Sequence, residues 1–343
     1  MIISLSERDS VQNQVSVKYH GSPSAGLYFD SKKGSAHTVY ATSQWMVCND
    51  DPKDKASLSL NIVAPLDKTC IASGELIGKA AGNNNKMTFS FEQTYETPSY
   101  TFGFAIGDFV TTGEDSETVR LNYLGVNYSP DQLETIFRET PSMIKFFEEK
   151  SGVKYYQSTY TQILLGNHYQ EMSGYSTLKG EYGNMVLNDT TETNLISHEL
   201  AHQWWGNRIT CENWKHFWLN EGMATFMSAA YNEHRFGQWK YDSDIDSYHK
   251  VYRETKKRGN DKPLVFRKWW NATRDDRNLV YFKGAYVIHL LRQYVGEEKF
   301  WKAIKHYSTE YFGGSVTTAD FQDAIEKSTG MELDGFFNEW VYR

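Results

Sequence analysis

The chain has 343 residues, enough for about two domains, and its 40% hydrophobic and 23% charged residues are an ordinary globular balance. A net charge of −7, with no basic stripe to offset it, repels phosphate backbones and argues against nucleic-acid binding. No apolar run is long enough for a membrane span, and Met1 to Arg8 lacks the features of a secretory leader, which favours the cytoplasm.

The first third reads as β structure. Ala56, Leu58, Leu60 and Ile62 alternate with polar residues, and the same period of two recurs at 87–91, 100–106 and 119–123. Turn-forming stretches at 82–85 and 111–115 separate these strands. One wet and one buried face per strand is the pattern of antiparallel sheets. The character changes near Leu124. Ser129-Pro130-Asp131-Gln132 supplies an N-cap, a first-turn proline and a capping-box partner, which predicts a helix through Leu133, Ile136 and Phe137. Thr140-Pro141 restarts it, and a short strand follows at 161–165. Beyond Thr193 helical spacing dominates, near 194–206, 220–235, 281–295, 298–311 and 317–328, with Gly237, Gly296 and Gly330 as stops. Chain order thus predicts an α+β fold, with an antiparallel β domain over 1–124 and a mostly helical domain over 125–343. The abundant aromatics are expected to fill these cores. Cys48, Cys70 and Cys211 lack the paired spacing of a disulfide framework or a cysteine metal site.

The predicted helix at 194–206 carries His198-Glu199-Leu200-Ala201-His202. Residues i and i+4 share a helix face, so both imidazoles can reach one metal ion, while Glu199 reaches a water bound to it. A lone helical histidine is more often surface or satisfied core, and a lone glutamate is nearly always solvated. Their joint occurrence, with Glu221 on a second helix after eighteen intervening residues from His202, points instead to a His2Glu site for one zinc ion. The remaining histidines lack ligand spacing, and Asp275 and Asp276 read as loop charges.

Leu195 to Gly206, followed by Trp218-Leu219-Asn220-Glu221-Gly222, resembles the gluzincin zinc aminopeptidases of the aminopeptidase N family. Cys48-Asn49-Asp50-Asp51-Pro52 is similar to that family's Pro-Cys-x-Asp-x-Pro segment, and Tyr100 to Phe109 to the strand ending its β domain. Tyr281-Phe282-Lys283-Gly284-Ala285 matches its Tyr-x-Lys-Gly-Ala segment, whose tyrosine is catalytic. The resemblance spans most of the chain. It implies a thermolysin-like catalytic domain behind the β domain, with the chain starting inside the usual β domain and stopping before the family's C-terminal helical domain.

The family's Gly-Ala-Met-Glu-Asn strand, whose glutamate binds the substrate amine, corresponds to His168-Tyr169-Gln170-Glu171-Met172-Ser173-Gly174, where only Glu171 and Gly174 match. The resemblance therefore implies Glu171 as amine anchor, with Gln170, Gly174 and the neighbouring backbone holding the peptide as an added strand. Two departures stand out. The acidic residue usual seven positions beyond the ligand glutamate is Ser228, and Ser35-Ala36-His37-Thr38 offers no second amine-binding residue. The expectation is a zinc aminopeptidase acting on peptides with a free N-terminus, with Glu199 as base and acid and Tyr281 as oxyanion donor. A zinc endopeptidase of the same fold and a non-catalytic peptide-binding module remain as alternatives, and the oligomeric state is not set by the sequence.

Overall fold

A computed structural model describes residues 14–30, 34–117, 119–267 and 269–343. Two antiparallel sheets open the chain. One orders β1 (Leu27–Asp30), β2 (Ser35–Thr38), β7 (Phe104–Gly107) and β4 (Thr69–Ala72) as β1-β2-β7-β4. The other orders β3 (Lys55–Pro65), β5 (Glu75–Ala81) and β6 (Lys86–Pro98) as β3-β6-β5. The inward residues of their alternating patterns, Ile62, Ala64, Cys70, Ala72, Phe89 and Phe91, form one apolar cluster with Phe104 and Ile106 against it. The strand expected from Tyr100 begins only at Phe104. Pro98 fixes its own backbone, and the Thr101 hydroxyl donates to the Pro98 carbonyl (2.8 Å), so 99–101 tightens into a 3₁₀ turn.

The next sheet is mixed. Strands β8 (Val110–Ser116), β9 (Val119–Gly125), β10 (Thr159–Leu164), β11 (Gln170–Met172) and β12 (Tyr175–Leu178) run in the order β11-β12-β10-β9-β8. β9 pairs antiparallel with β8 but parallel with β10, as the crossover through α1 (Pro130–Phe137) and α2 (Thr140–Ser151) demands. A division between 124 and 125 therefore falls inside a strand, and 110–125 shares its sheet with 159–178. The Ser129–Gln132 capping box forms as the sequence indicates.

Helices follow: α3 (Tyr182–Asn188), α4 (Asn194–Ala201), α5 (Trp218–Phe236), α6 (Gln238–Lys257), α7 (Arg274–Asn278), α8 (Gly284–Val295), α9 (Glu297–Tyr311), α10 (Thr318–Thr329) and α11 (Asp334–Trp340). A short parallel pair, β13 (Thr210–Cys211) and β14 (Ser315–Val316), ties the middle of this region to its end. α6 carries no aliphatic stripe to announce it. Tyr241, Ile245, Tyr248 and Tyr252 line its buried face, and tyrosine is weakly hydrophobic, so helical spacing is masked by polarity. The principal core is largely aromatic, with Trp204, Trp205, Trp218, Phe226 and Tyr231 fully buried, in line with the composition. All three cysteines are free, and no helix among the described residues is long and apolar enough to cross a membrane.

Candidate metal centre and peptide cleft

α4 stops at Ala201, five residues short of the predicted end. The chain turns back there, the Asn207 amide bonding the His202 carbonyl (2.9 Å). His202 is the C-cap and keeps helical backbone angles, so its i, i+4 relation to His198 survives. Glu221 lies in the first turn of α5, which packs against α4. Three atoms converge. His198 Nε2 and His202 Nε2 are 3.0 Å apart, and Glu221 Oε2 lies 3.3 and 3.2 Å from them.

The hydrogen bonds behind the rings say what those atoms are. His202 Nδ1 faces the Trp205 carbonyl at 3.0 Å, which can only accept, so Nδ1 carries the proton and Nε2 presents a lone pair. The Thr225 hydroxyl donates to the Glu221 carbonyl (2.7 Å), leaving its oxygen to accept from His198 Nδ1 at 3.4 Å. Glu221 Oε2 has no hydrogen-bond donor. Three buried ligating atoms thus face one another, an arrangement that a shared metal ion would satisfy. Their nearly equal separations match the ~3.3 Å between ligands of a tetrahedral ion with bonds of about 2.0–2.1 Å. The donor set therefore fits zinc.

The surrounding field is strongly negative. Burial pulls the His202 imidazole down, but the carboxylates of Glu171, Glu221 and Glu199 push it up. Burial favours a neutral Glu221, while His202 and His198 hold it down to about 2. Glu199 is 4% exposed, and its Oε2 lacks a partner. Burial and the nearby Glu171 raise it well above an ordinary carboxyl. Ligating atoms of Glu171, Glu199 and His202 all lie within 4.8 Å of one another, so the two carboxylates share one small chamber.

Tyr281 does not begin a regular helix. Leu279–Lys283 forms a π-turn between α7 and α8, a wider winding that occurs mostly at functional sites. It turns the Tyr281 ring onto His198, stacked at 5.9 Å between centroids with 19° between planes. The close approach depends on two glycines. A Cβ at Gly222 would meet the Gly284 backbone at 3.0 Å, so only glycines let α5 and the head of α8 touch. Burial, then the Glu221 carboxylate, pushes the Tyr281 phenol up, so it stays a neutral donor.

Glu171 is on β11, an edge strand of the mixed sheet, and is 6% exposed. Gln170 and Gly174 are engaged within the protein. The Gln170 side chain accepts from the Tyr40 amide (2.5 Å) and donates to the Tyr100 carbonyl (2.9 Å), clasping both segments to β11. Gly174 turns the β11–β12 hairpin at φ 81°, its amide bonded to Gln203 Oε1 (3.1 Å) and its carbonyl to the Thr161 amide (3.1 Å). Ser228 shares a bond with Ser197 (2.7 Å) and donates to the Asn194 carbonyl (2.8 Å), so it staples α5 to α4 rather than to a histidine. Asp275 and Asp276, expected as loop charges, stand instead in the first turn of α7, where they pair with Arg258 and Lys262 and Asp276 completes the Thr273 capping box.

Two residues that the sequence does not mark as part of the site also border the chamber. The Tyr100 hydroxyl accepts from Asn220 (3.1 Å) and helps hold the Glu171 carboxyl down against its burial. Tyr40 donates its hydroxyl to the Tyr169 carbonyl. Period-two alternation marks Tyr100 only as a strand residue, and no local signal marks Tyr40.

A helix-borne His-Glu-x-x-His segment, a distal glutamate and a facing tyrosine, set behind β sheets, define a metallohydrolase-type centre. The model of the peptidase family M1 domain matches residues 136–340, and that of the peptidase M1 N-terminal domain matches 1–101. The chain belongs to the peptidase M1 family. Aminopeptidase 2 of Candida albicans is 23% identical over 92% of this chain, and leucine aminopeptidase 2 of Aspergillus terreus is 29% identical over 81%. The chain spans 37% and 46% of the length of these two relatives. An M1 zinc metallopeptidase from Deinococcus radiodurans, solved with a Tyr-Ser-Ala substrate, superposes with a TM-score of 0.74 at 23% identity, covering 90% of this chain and 69% of that one.

Proposed function

We propose that this chain is the core of a zinc aminopeptidase, releasing the first residue from peptides with a free N-terminus. The observation that carries the reading is the shared chamber of Glu171 and Glu199 beside three converging acceptor atoms. His198, His202 and Glu221 would hold a zinc ion, which when bound makes water acidic near neutral pH and polarises a carbonyl. Glu199, with one carboxylate oxygen free, takes the proton of the attacking water and returns it to the departing amine. The Tyr281 phenol donates to the oxygen that gains charge as the carbonyl becomes tetrahedral. Glu171 pairs with the α-ammonium and so fixes which bond lies before Glu199. Gln170 and Gly174 act at one remove, holding the strand that carries Glu171.

The relatives' printed names support the peptide substrate, and the metallopeptidase neighbours support the metal. The test is hydrolysis of fluorogenic aminoacyl amides by zinc-loaded protein, abolished both by N-acetylation of the substrate and by a chelator. Cleavage confined to internal bonds would make the chain an endopeptidase. Zinc bound with no hydrolysis of any peptide would make it a binding module.

A further inference from the structure

Two groups at the rim of the chamber play no part in that chemistry. The first is Tyr40. It is 49% exposed, sits just beyond β2, and has φ 55°, with Ala41 following at 44°. Bulky side chains rarely adopt this left-handed region, and such strain persists only where surroundings impose it. Here the Gln170 side chain holds the Tyr40 amide and the Tyr169 carbonyl holds its hydroxyl, fixing the phenol across the edge of β11.

The second is Arg277, exposed on α7 four residues before Tyr281. The neighbouring Asp275 and Asp276 are committed to Arg258 and Lys262. Among the described residues no carboxylate pairs with the Arg277 guanidinium, which rests over the Trp269 ring at 5.5 Å. Trp269 packs on Phe217 (4.7 Å between centroids), Phe217 on Trp214 (5.2 Å), and Trp214 on Tyr100 (5.3 Å). Tyr100 borders the chamber that holds Glu171, so an aromatic wall runs from the candidate amine anchor to a seated cation. Tyr40 senses both ends. Burial, then Glu199, Glu171 and Glu221, push its hydroxyl up, and Arg277 draws it back.

The open part of the strand sets a direction. Past Glu171, Gln203 donates to the Met172 carbonyl (2.9 Å) and the Ser173 amide donates to the Thr101 carbonyl (2.9 Å), so that end is closed. A peptide with its ammonium on Glu171 must run back toward Tyr169 and past Tyr40. At about 3.3–3.6 Å per residue, its second or third residue emerges at the rim. A guanidinium without an internal partner offers a planar fork suited to a carboxylate.

We propose that Arg277, seated on Trp269 four residues before Tyr281, receives a substrate carboxylate, so that the preferred substrates are short peptides held at both ends. This rests on the aminopeptidase reading for where the ammonium lies. The carboxylate is a peptide C-terminus or an acidic side chain near it.

Calorimetric titration of zinc-loaded protein with a neutral dipeptide and with its C-terminal amide reads the preference without requiring turnover. The free acid is expected to bind about tenfold or more tightly, as a charge-assisted bond gives. Arg277→Gln should bring that ratio close to one, while Arg274→Gln, an exposed cation without the aromatic seat, should keep it. A C-terminal amide with aspartate in second position forms the other arm. Tight binding of this peptide, lost in Arg277→Gln, assigns the side-chain source, and weak binding assigns the terminus. Equal affinity for acid and amide in both arms, or a preference untouched by Arg277→Gln, would overturn the proposal. Carboxylate-dependent binding without release of a first residue would sink the aminopeptidase reading alone.

Discussion

The centre is assembled in two ways. His198, His202 and Glu221 stand on α4, its cap and the first turn of α5, where helical periodicity and one helix contact bring three atoms within 3.3 Å. Glu171 stands on a three-residue edge strand whose place depends on distant segments: Gln170 clasps Tyr40 and Tyr100, and Gln203 and Thr101 close the hairpin end. The first half is local, the second a product of contacts between 31 and 130 residues apart in sequence. On the proposed function, reaction chemistry is lodged where short-range order sets the geometry, and substrate selection where two sheet systems meet.

If that contrast is right, substitutions in the helical half cost rate without moving the peptide, while those in the clasp cost substrate grip and stability. The largest effect is expected from Glu199→Gln. It keeps the shape of the base but cannot take a proton, so kcat should fall about a thousandfold with zinc content unchanged. Near-normal turnover in a metal-replete sample would remove Glu199 from the role of base.

Gln170→Leu probes the other half. It strands the Tyr40 amide and the Tyr100 carbonyl, a loss of about 1–3 kcal/mol for buried groups left unpaired. Denaturant unfolding should show that loss, and KM for peptides should rise with zinc affinity kept. A variant with wild-type stability and KM would show that the clasp does not position β11.

The smallest effect tests whether the helical half is as rigid as its geometry suggests. His216, just before α5, accepts the Thr318 amide on Nδ1 (3.2 Å), tying α5 to the start of α10. Burial, helped by Lys215, lowers its imidazole to about 4. The unfolded chain, titrating near 6.5, binds more protons between these values, so this stability is complete above pH 6.5 and is lost as pH falls through 4. Allowing for solvent screening, about 1–2 kcal/mol should disappear across that window in metal-free protein, and His216→Asn should flatten the slope. A slope unchanged by His216→Asn would place the acid sensitivity elsewhere.

The sequence by itself determined the α+β succession, the capping box at Ser129, and the spacing that lets His198 and His202 share a helix face, because helices and caps are set by residues three or four apart. Likeness to a known family added Tyr281 and Glu171 and gave Gln170 and Gly174 as substrate contacts, while the Gln170 side chain and the Gly174 backbone hold partners within the protein. Only the tertiary structure decided that β8 and β9 join the mixed sheet, that a π-turn and paired glycines lay Tyr281 on His198, and that Arg277 rests over Trp269. Strand partners, edges and unpaired charges are long-range properties. A period of two says that a strand has a buried face but not what lies beside it, so the metal centre was legible and the peptide cleft was not.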